Sequence, residues 1–175
     1  MPSERTRDQW LTCPDDALLA ACEVDTYRAS GPGGQKRNKT SSAVRLRHGP
    51  SGLMVIAEES RSQHENKARA IRRMRSMIAY SVRLPPVPGA TALIGRFRSE
   101  AGRIQIPQRH EAYSLVIATI LDVVAHHSGA IAEAANHLGV ATAQLSRFVT
   151  SDSKMLATVN RMRKDAGLRP ITGRN

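Results

Sequence analysis

The apolar and polar positions of this chain change their period partway along it. Up to residue 58 the apolar positions come in short runs broken by Gly and Pro, and beyond residue 62 they recur every three or four positions. Pro14 and Asp15-Asp16 ahead of "ALLAAC" mark a helix start, with a carboxylate near the positive end of the helix dipole. "VDTYRA" (24–29) reads as a short strand. In "SAVRLRH" (42–48) Ala43 takes one register and Val44 and Leu46 the other, as in a half-buried strand. "GPSG" (49–52) is turn chemistry and "LMVIAE" (53–58) a third strand, so the three predict a small antiparallel sheet.

A helix follows in "SQHENKARAIRRMRSMIAYS", opened by the capping-box pair Ser62 and Glu65. Ala68, Ile71, Met74 and Ile78 form its apolar stripe, while Lys67, Arg69, Arg72, Arg73 and Arg75 project elsewhere. "LPPVPGA" (84–90) ends this unit, and residues 91–106 fit either a strand or irregular chain. From Pro107 helical periods dominate to about residue 166, with Gly167 as a C-cap. Within them Ala135, Gly139 and Leu145 have the spacing of a helix-turn-helix, or of a plain helical hairpin, with Thr142 as the second helix's N-cap. Gln144, Ser146 and Arg147 are that segment's candidate nucleic-acid contacts. The expected fold class is α+β, a small antiparallel sheet packed by a helix, followed by a small all-α unit. The expected division is a flexible N-terminus at 1–14, a sheet domain at 15–83, a Pro/Gly-rich linker at 84–106 and a helical domain at 107–175.

Charge adds a partner to this picture. The net charge is +11, and residues 28–75 hold twelve Lys/Arg against three acids. A field concentrated on one segment points to a polyanion. One Trp, three Tyr and two Phe are too few for a base-stacking platform, so RNA would be met through its backbone and shape. No apolar run reaches the roughly 18–20 residues that span a membrane. The N-terminus has no apolar signal core, and Cys13 and Cys22 lack metal-ligand spacing; they read as free thiols of a cytoplasmic protein.

Chemistry concentrates in "YRASGPGGQKRNKTSSAVRL" (27–46). Gly33-Gly34 is followed by Gln35 with no Ser, His or carboxylate beside it as nucleophile. It lacks the Gly-Lys-Ser/Thr ending of a phosphate loop, no Ser/His/Asp set or metal cluster is legible, and His64, His126 and His127 read as cap or helix-surface residues. Glycines would let the backbone approach a crowded RNA end. The Gln35 N–H could stabilise negative charge developing on an oxygen, and its side chain could orient water. A substrate already activated as an ester would suit such a site.

The two blocks "RASGPGGQKRNKTSSAVRL" and "SGLMVIAEESRSQHENKARA" resemble the GGQ domain of class I peptide chain release factors and their ribosome-rescue relatives, over roughly residues 15–80. The matching positions include Gly31-Pro32-Gly33-Gly34-Gln35, Asn38-Lys39-Thr40, Arg61-Ser62-Gln63-His64 and Asn66-Lys67. The resemblance implies an enzyme that hydrolyses the peptidyl-tRNA ester in the ribosomal peptidyl-transferase centre. Gly33, Gly34 and Gln35 would be the catalytic group. Arg28, Lys36, Arg37, Asn38, Lys39, Arg61, Gln63, Lys67, Arg72 and Arg73 would contact rRNA or tRNA. It implies no cofactor and no metal; the partners would be the ribosome and peptidyl-tRNA, with a monomeric chain and no membrane. Lys36-Arg37 departs from the His or Asn and Val common in relatives. The chain is shorter than a stop-codon-reading factor, no separate codon-recognition domain is legible and neither a Pro-x-Thr nor a Ser-Pro-Phe codon-reading tripeptide is expected, which favours codon-independent rescue of stalled ribosomes. The C-terminal "RKDAGLRPITGRN" is short for the basic tail of rescue relatives. Two alternatives stand: a non-enzymatic nucleic-acid-binding regulator using the C-terminal helices, and a stop-codon-dependent factor with an unusual decoding domain.

Overall fold

In the structure, a computed structural model that describes residues 5–28 and 42–172, alternation of Val44, Leu46 and His48 with Arg45 and Arg47 sets the pitch of a three-stranded antiparallel sheet. Strands β1 (Cys22–Tyr27), β2 (Ala43–His48) and β3 (Met54–Ala57) lie in the order β1-β2-β3. Thr26, Val44 and Ala57 share one rung, and Val24, Leu46 and Val55 another two residues along. Val44, Leu46, Val55 and Ala57 are buried, and so is Ala43 in the other register, where it closes the sheet against Tyr27. Arg45, Arg47, Met54 and Ile56 stand on the solvent face. The period of two thus assigns each side chain to a face.

Helix α3 (Gln63–Ser81) begins where the Ser62 hydroxyl accepts the Glu65 N–H at 3.3 Å. Ala70, Ile71, Met74 and Ile78 are buried; Ala68 is only half-buried, so Ala70 takes its expected place in the stripe. Full burial of Met74 and Ile78 contributes on the order of 1.5–3 kcal/mol each.

The N-terminal segment departs from the expectation of a flexible stretch at 1–14. Residues Arg7–Thr12 form α1, closed by a capping box. The Thr6 hydroxyl accepts the Gln9 N–H, and the Gln9 side chain accepts the Thr6 N–H at 2.8 Å. Leu11 is buried, as is Leu18 of α2 (Asp15–Ala20). The α2 cap is Pro14, with no side-chain bond, and Asp15 and Asp16 occupy the first turn where the dipole favours them. Arg75 of α3 joins these helices to the unit: its guanidinium donates to the carbonyls of Trp10 (3.0 Å), Leu11 (3.2 Å) and Cys13 (2.5 Å) and pairs with Asp15. A helix end leaves its last carbonyls without partners, and Arg75 supplies them.

The chain divides into two units, Met1–Ile78 and Ala79–Asn175. In the second, residues 84–106, read from sequence as a linker, carry α4 (Ala90–Gly95), with Ala90 and Ile94 buried, and a bridge between Arg98 and Ile104. Helix α5 (Tyr113–His126) is buried at every position from Val116 to Val124. It packs on α4, α6 (Ile131–Leu138) and α8 (Ser153–Asp165), while α7 (Thr142–Thr150) joins α6 to α8. A helix that is apolar all round is a core helix. Gly139 ends α6 with φ +67°, and the Val140 N–H reaches the Ala135 carbonyl at 3.0 Å. Gly167 ends α8 in the same way, with φ +71° and the Leu168 N–H on the Arg163 carbonyl. Both are left-handed caps that a Cβ disfavours. The α7 cap is Ala141 and makes no side-chain bond; Thr142, expected there, is the first helical residue. Among the described residues no helix is long and apolar enough to cross a membrane.

Candidate functional site

Antiparallel pairing fixes where the motif segment is tied. The last rung of β1 and β2 is Tyr27 with Ala43, so residues 28–42 connect two adjacent strands. Gly33, Gly34, Gln35, Lys36, Arg37, Asn38 and Lys39 lie outside the described residues. Arg28 follows β1 and is exposed. At the other end Ser42 leads into β2, and its carbonyl accepts the Asn66 side-chain amide at 2.7 Å. The same amide donates to the Ser60 carbonyl at 2.8 Å, and its oxygen accepts the Ser60 N–H at 3.0 Å. Asn66 is fully buried.

The turn from β3 into α3 carries the second block. Arg61 and Gln63 are exposed, and Ser62 donates its N–H to the Ser60 hydroxyl at 3.1 Å. Along α3 the expected RNA-binding cations differ in their engagement. Arg73 donates to the Ile56 carbonyl and to the Glu59 carboxylate. Arg69 lies 4.0 Å from Glu59 and 3.9 Å from Glu65. The Arg73 hydrogen bond holds the Glu59 carboxyl below its ordinary range. Lys67 and Arg72 make no ion pair among the described residues, and Arg72 is exposed. A cation with a carboxylate already on it gains less from a phosphate than a free one, so the structure separates Lys67 and Arg72 from Arg73.

On the sheet's solvent face Arg45 pairs with Asp25 at 2.8 Å and lies 6.0 Å from the Tyr27 ring. Behind the sheet His48 is buried, with Nδ1 at 2.8 Å from the Ser51 hydroxyl and its ring edge-on to Trp10 at 4.9 Å. Burial holds the imidazole below its ordinary pKa. Cys13 and Cys22 are free and half-buried, and burial raises the Cys22 thiol.

In the second unit Ala135, Leu138, Val140 and Leu145 are buried around the Gly139 turn. Gln144 and Ser146 are half-buried and Arg147 exposed; the Gln144 oxygen accepts from Arg147 at 3.1 Å. Arg98 donates to the Gly139 carbonyl at 2.8 Å, which puts a second guanidinium at this turn. His126 and His127 are joined by His137, whose Nδ1 is 3.1 Å from His127 Nε2. No group of three His, Cys, Asp or Glu among the described residues could hold a metal ion.

Sequence reading passed over two polar centres of this unit, and its expectation of no Pro-x-Thr tripeptide is corrected at residues 170–172. Asp152 caps α8 and accepts the Tyr80 hydroxyl at 2.6 Å and the Tyr113 hydroxyl at 3.0 Å. Buried Asp122 accepts from Arg83 and from the Leu84 N–H, each at 3.1 Å. Pro170-Ile171-Thr172 has the Pro-x-Thr form of a codon-reading tripeptide in the resembled family. It stands beyond α8, where Ile171 exchanges two backbone hydrogen bonds with the Asn160 side chain.

The RF-1 domain family matches residues 19–86, the sheet, the connection between β1 and β2, and α3. The chain is 56% identical over 63 residues to peptide chain release factor 2 of Acidithiobacillus ferrooxidans, covering 36% of this chain and 17% of that one. It is 65% identical over 55 residues to peptide chain release factor 2 of Janthinobacterium sp., covering 31% and 15%. With peptide chain release factor 1 of Novosphingobium aromaticivorans the identity is 50% over 83 residues, covering 45% and 23%. The chain spans less than a quarter of the length of these curated relatives.

Proposed function

Because residues 19–86 belong to the RF-1 domain family of the class I peptide chain release factors, we propose that this protein releases nascent peptide on the ribosome. The observation that carries the reading is Gly33-Gly34-Gln35 in the sequence connecting the paired strands β1 and β2, in a matched domain whose helix α3 is rich in Lys and Arg. Water adds to the ester carbonyl of peptidyl-tRNA, the bond to the terminal ribose oxygen breaks, and that oxygen takes one of the water's protons while the other passes to solvent. The products are a peptide carboxylate and tRNA with a free hydroxyl. The Gln35 N–H faces the oxygen on which charge develops, and its side chain orients the water. No protein nucleophile is consumed. Lys36, Arg37, Lys39, Lys67 and Arg72 bind rRNA or tRNA phosphates, with Arg28, Asn38, Arg61, Gln63 and Arg73 at the margin of that surface.

The release is codon-independent in this proposal and rescues stalled ribosomes. The support is a helical unit following the RF-1 domain, with Pro170-Ile171-Thr172 as the feature that would favour the stop-codon-dependent alternative. Purified ribosomes carrying peptidyl-tRNA, with and without a stop codon in the A site, distinguish the two. Release with both supports rescue, and release only with the stop codon overturns it. Gly34→Ala and Gln35→Ala should abolish release while leaving the fold intact, since a Cβ at Gly34 obstructs the approach to the tRNA end. Full activity in Gly34→Ala would sink the catalytic assignment.

A second reading draws on the α6–α7 turn, where Gly139 in the left-handed region and buried Ala135 and Leu145 suit a helix-turn-helix as well as a plain helical hairpin. In it Gln144, Ser146 and Arg147 contact nucleic acid and the chain is a regulator. Tight, sequence-specific duplex DNA binding by the full chain, without peptide release, is the result that favours it.

A further inference from the structure

The connection bearing Gly33-Gly34-Gln35 must be held at a fixed place for its backbone to meet a substrate atom, and Tyr27–Ala43 is the last rung among the described residues on either side of it. One more attachment exists on the described side. Asn66 sits on α3, one residue before Lys67, and its side chain reaches the carbonyl of Ser42, the residue that leads into β2. It also binds both backbone groups of Ser60, in the turn between β3 and α3. The start of β2, the turn before α3 and α3 itself therefore meet on a single buried amide. The partners demand an amide: two carbonyls need a group with two N–H donors, and the Ser60 N–H needs an acceptor. A carboxylate would face two carbonyl oxygens, and an apolar side chain would leave three half-buried backbone groups without this partner.

We infer that Asn66 is a positioning residue for peptide release: it locks the root of the motif segment at Ser42 to the first turns of α3. Resting on the release reading above, this gives the cations of α3 a second task. When Lys67 and Arg72 grip phosphate, the grip fixes α3, and Asn66 carries that placement to the segment holding Gln35. Asn66 touches no substrate, so its loss should leave ribosome affinity in place and slow the step that follows binding.

The test uses the full chain and three variants. Asn66→Asp keeps the size and the acceptor but loses the two donations, Asn66→Ala loses all three bonds, and Met74→Ala weakens the same core without touching Ser42 or Ser60. Release is measured per folded molecule over a range of ribosome concentrations, with hydrogen exchange at residues 42–44 as an independent readout. Misplacing a reacting group by about 1 Å costs up to about 100-fold, so Asn66→Asp should lower kcat by roughly 10- to 100-fold while KM stays within about twofold. Exchange at residues 42–44 should accelerate in both Asn66 variants, and Met74→Ala should lower the melting temperature with kcat per folded molecule unchanged. A folded Asn66→Asp with wild-type kcat overturns the inference. So does an Asn66→Asp that is unfolded, or whose loss matches that of Met74→Ala, because Asn66 is then a structural residue only. If the wild-type chain releases no peptide, the functional reading itself fails. The anchor is then judged by exchange alone: acceleration at 42–44 retains it and unchanged protection overturns it.

Discussion

His48 puts a titrating group where water cannot reach it. Burial opposes its charged form, so the folded chain holds the ring neutral below the ordinary value of 6.5. The unfolded chain takes the proton first as pH falls. This contribution to stability is therefore complete above about pH 6.5 and is lost as pH drops toward the lower folded value. Trp10, the single tryptophan, lies edge-on to this ring and reports on it. Its fluorescence should change with a midpoint below 6.5, and the first unit should melt at lower temperature across the same window. A midpoint at or above 6.5 would mean that the ring is hydrated.

Asp152 shows how one side chain can decide an element's start and its attachment. Burial alone would raise this carboxyl, but bonds from the Tyr80 hydroxyl, the Met155 N–H, the Tyr113 hydroxyl and the Lys154 N–H together hold it below its ordinary value. Burial foremost, then the Asp152 charge and the hydrogen bond to it, push the Tyr113 phenol up to about 12. Asp152→Ala removes an N-cap and two hydroxyl bonds, a loss of about 2–4 kcal/mol. The melting temperature of the second unit should fall by roughly 10 °C or more, read by circular dichroism. Since the carboxyl is held low, its contribution is present above the ordinary carboxylate range and disappears as pH falls through the depressed value; Asp152→Asn should flatten that acid limb. At the α6–α7 turn, Gly139→Ala places a Cβ in the left-handed region and 3.0 Å from Thr91 Cγ2. A cost of about 1–2 kcal/mol is expected, measurable by urea denaturation.

Across the whole molecule charge is concentrated where the RF-1 domain match lies. Each neutralised phosphate displaces counterions, so ribosome affinity should fall steeply with salt. Lys67→Ala with Arg72→Ala should flatten the slope of log affinity against log salt by about 0.7 for each phosphate left without its cation. Arg73→Ala should change that slope less and loosen the turn at Glu59, because its guanidinium is already engaged within the protein. An equal change in slope from Arg73→Ala would place it on phosphate as well. Residues 107–175 hold eight Lys/Arg against five acids, a weaker field, and a weak interaction made by Gln144 and Arg147 would act through the high effective concentration that tethering provides. Gln144→Ala with Arg147→Ala should reduce release at low protein concentration, with high concentration restoring it. An unchanged concentration dependence would remove these residues from the interface.

The sequence by itself determined the features that arise from neighbours along the chain. The alternation Val44-Arg45-Leu46-Arg47 assigns faces because strand side chains have a period of two, and Ser62 with Glu65 starts α3 because a helix leaves its first N–H groups open. Thr6 and Gln9 carry the same signal for α1, legible in "TRDQ" although residues 1–14 are expected from sequence to be a flexible N-terminus. Gly139 and Gly167 mark helix ends because few other residues tolerate a positive φ. The tertiary structure alone decided which polar groups meet. Asn66 finds Ser42 and Ser60, Arg75 finds the end of α1, Arg73 is taken by Glu59, and Asp152 gathers Tyr80 and Tyr113. Hydrophobic period reports which face of an element is buried, but a buried donor or acceptor is satisfied by whatever group packing brings within about 3 Å, often tens of residues away.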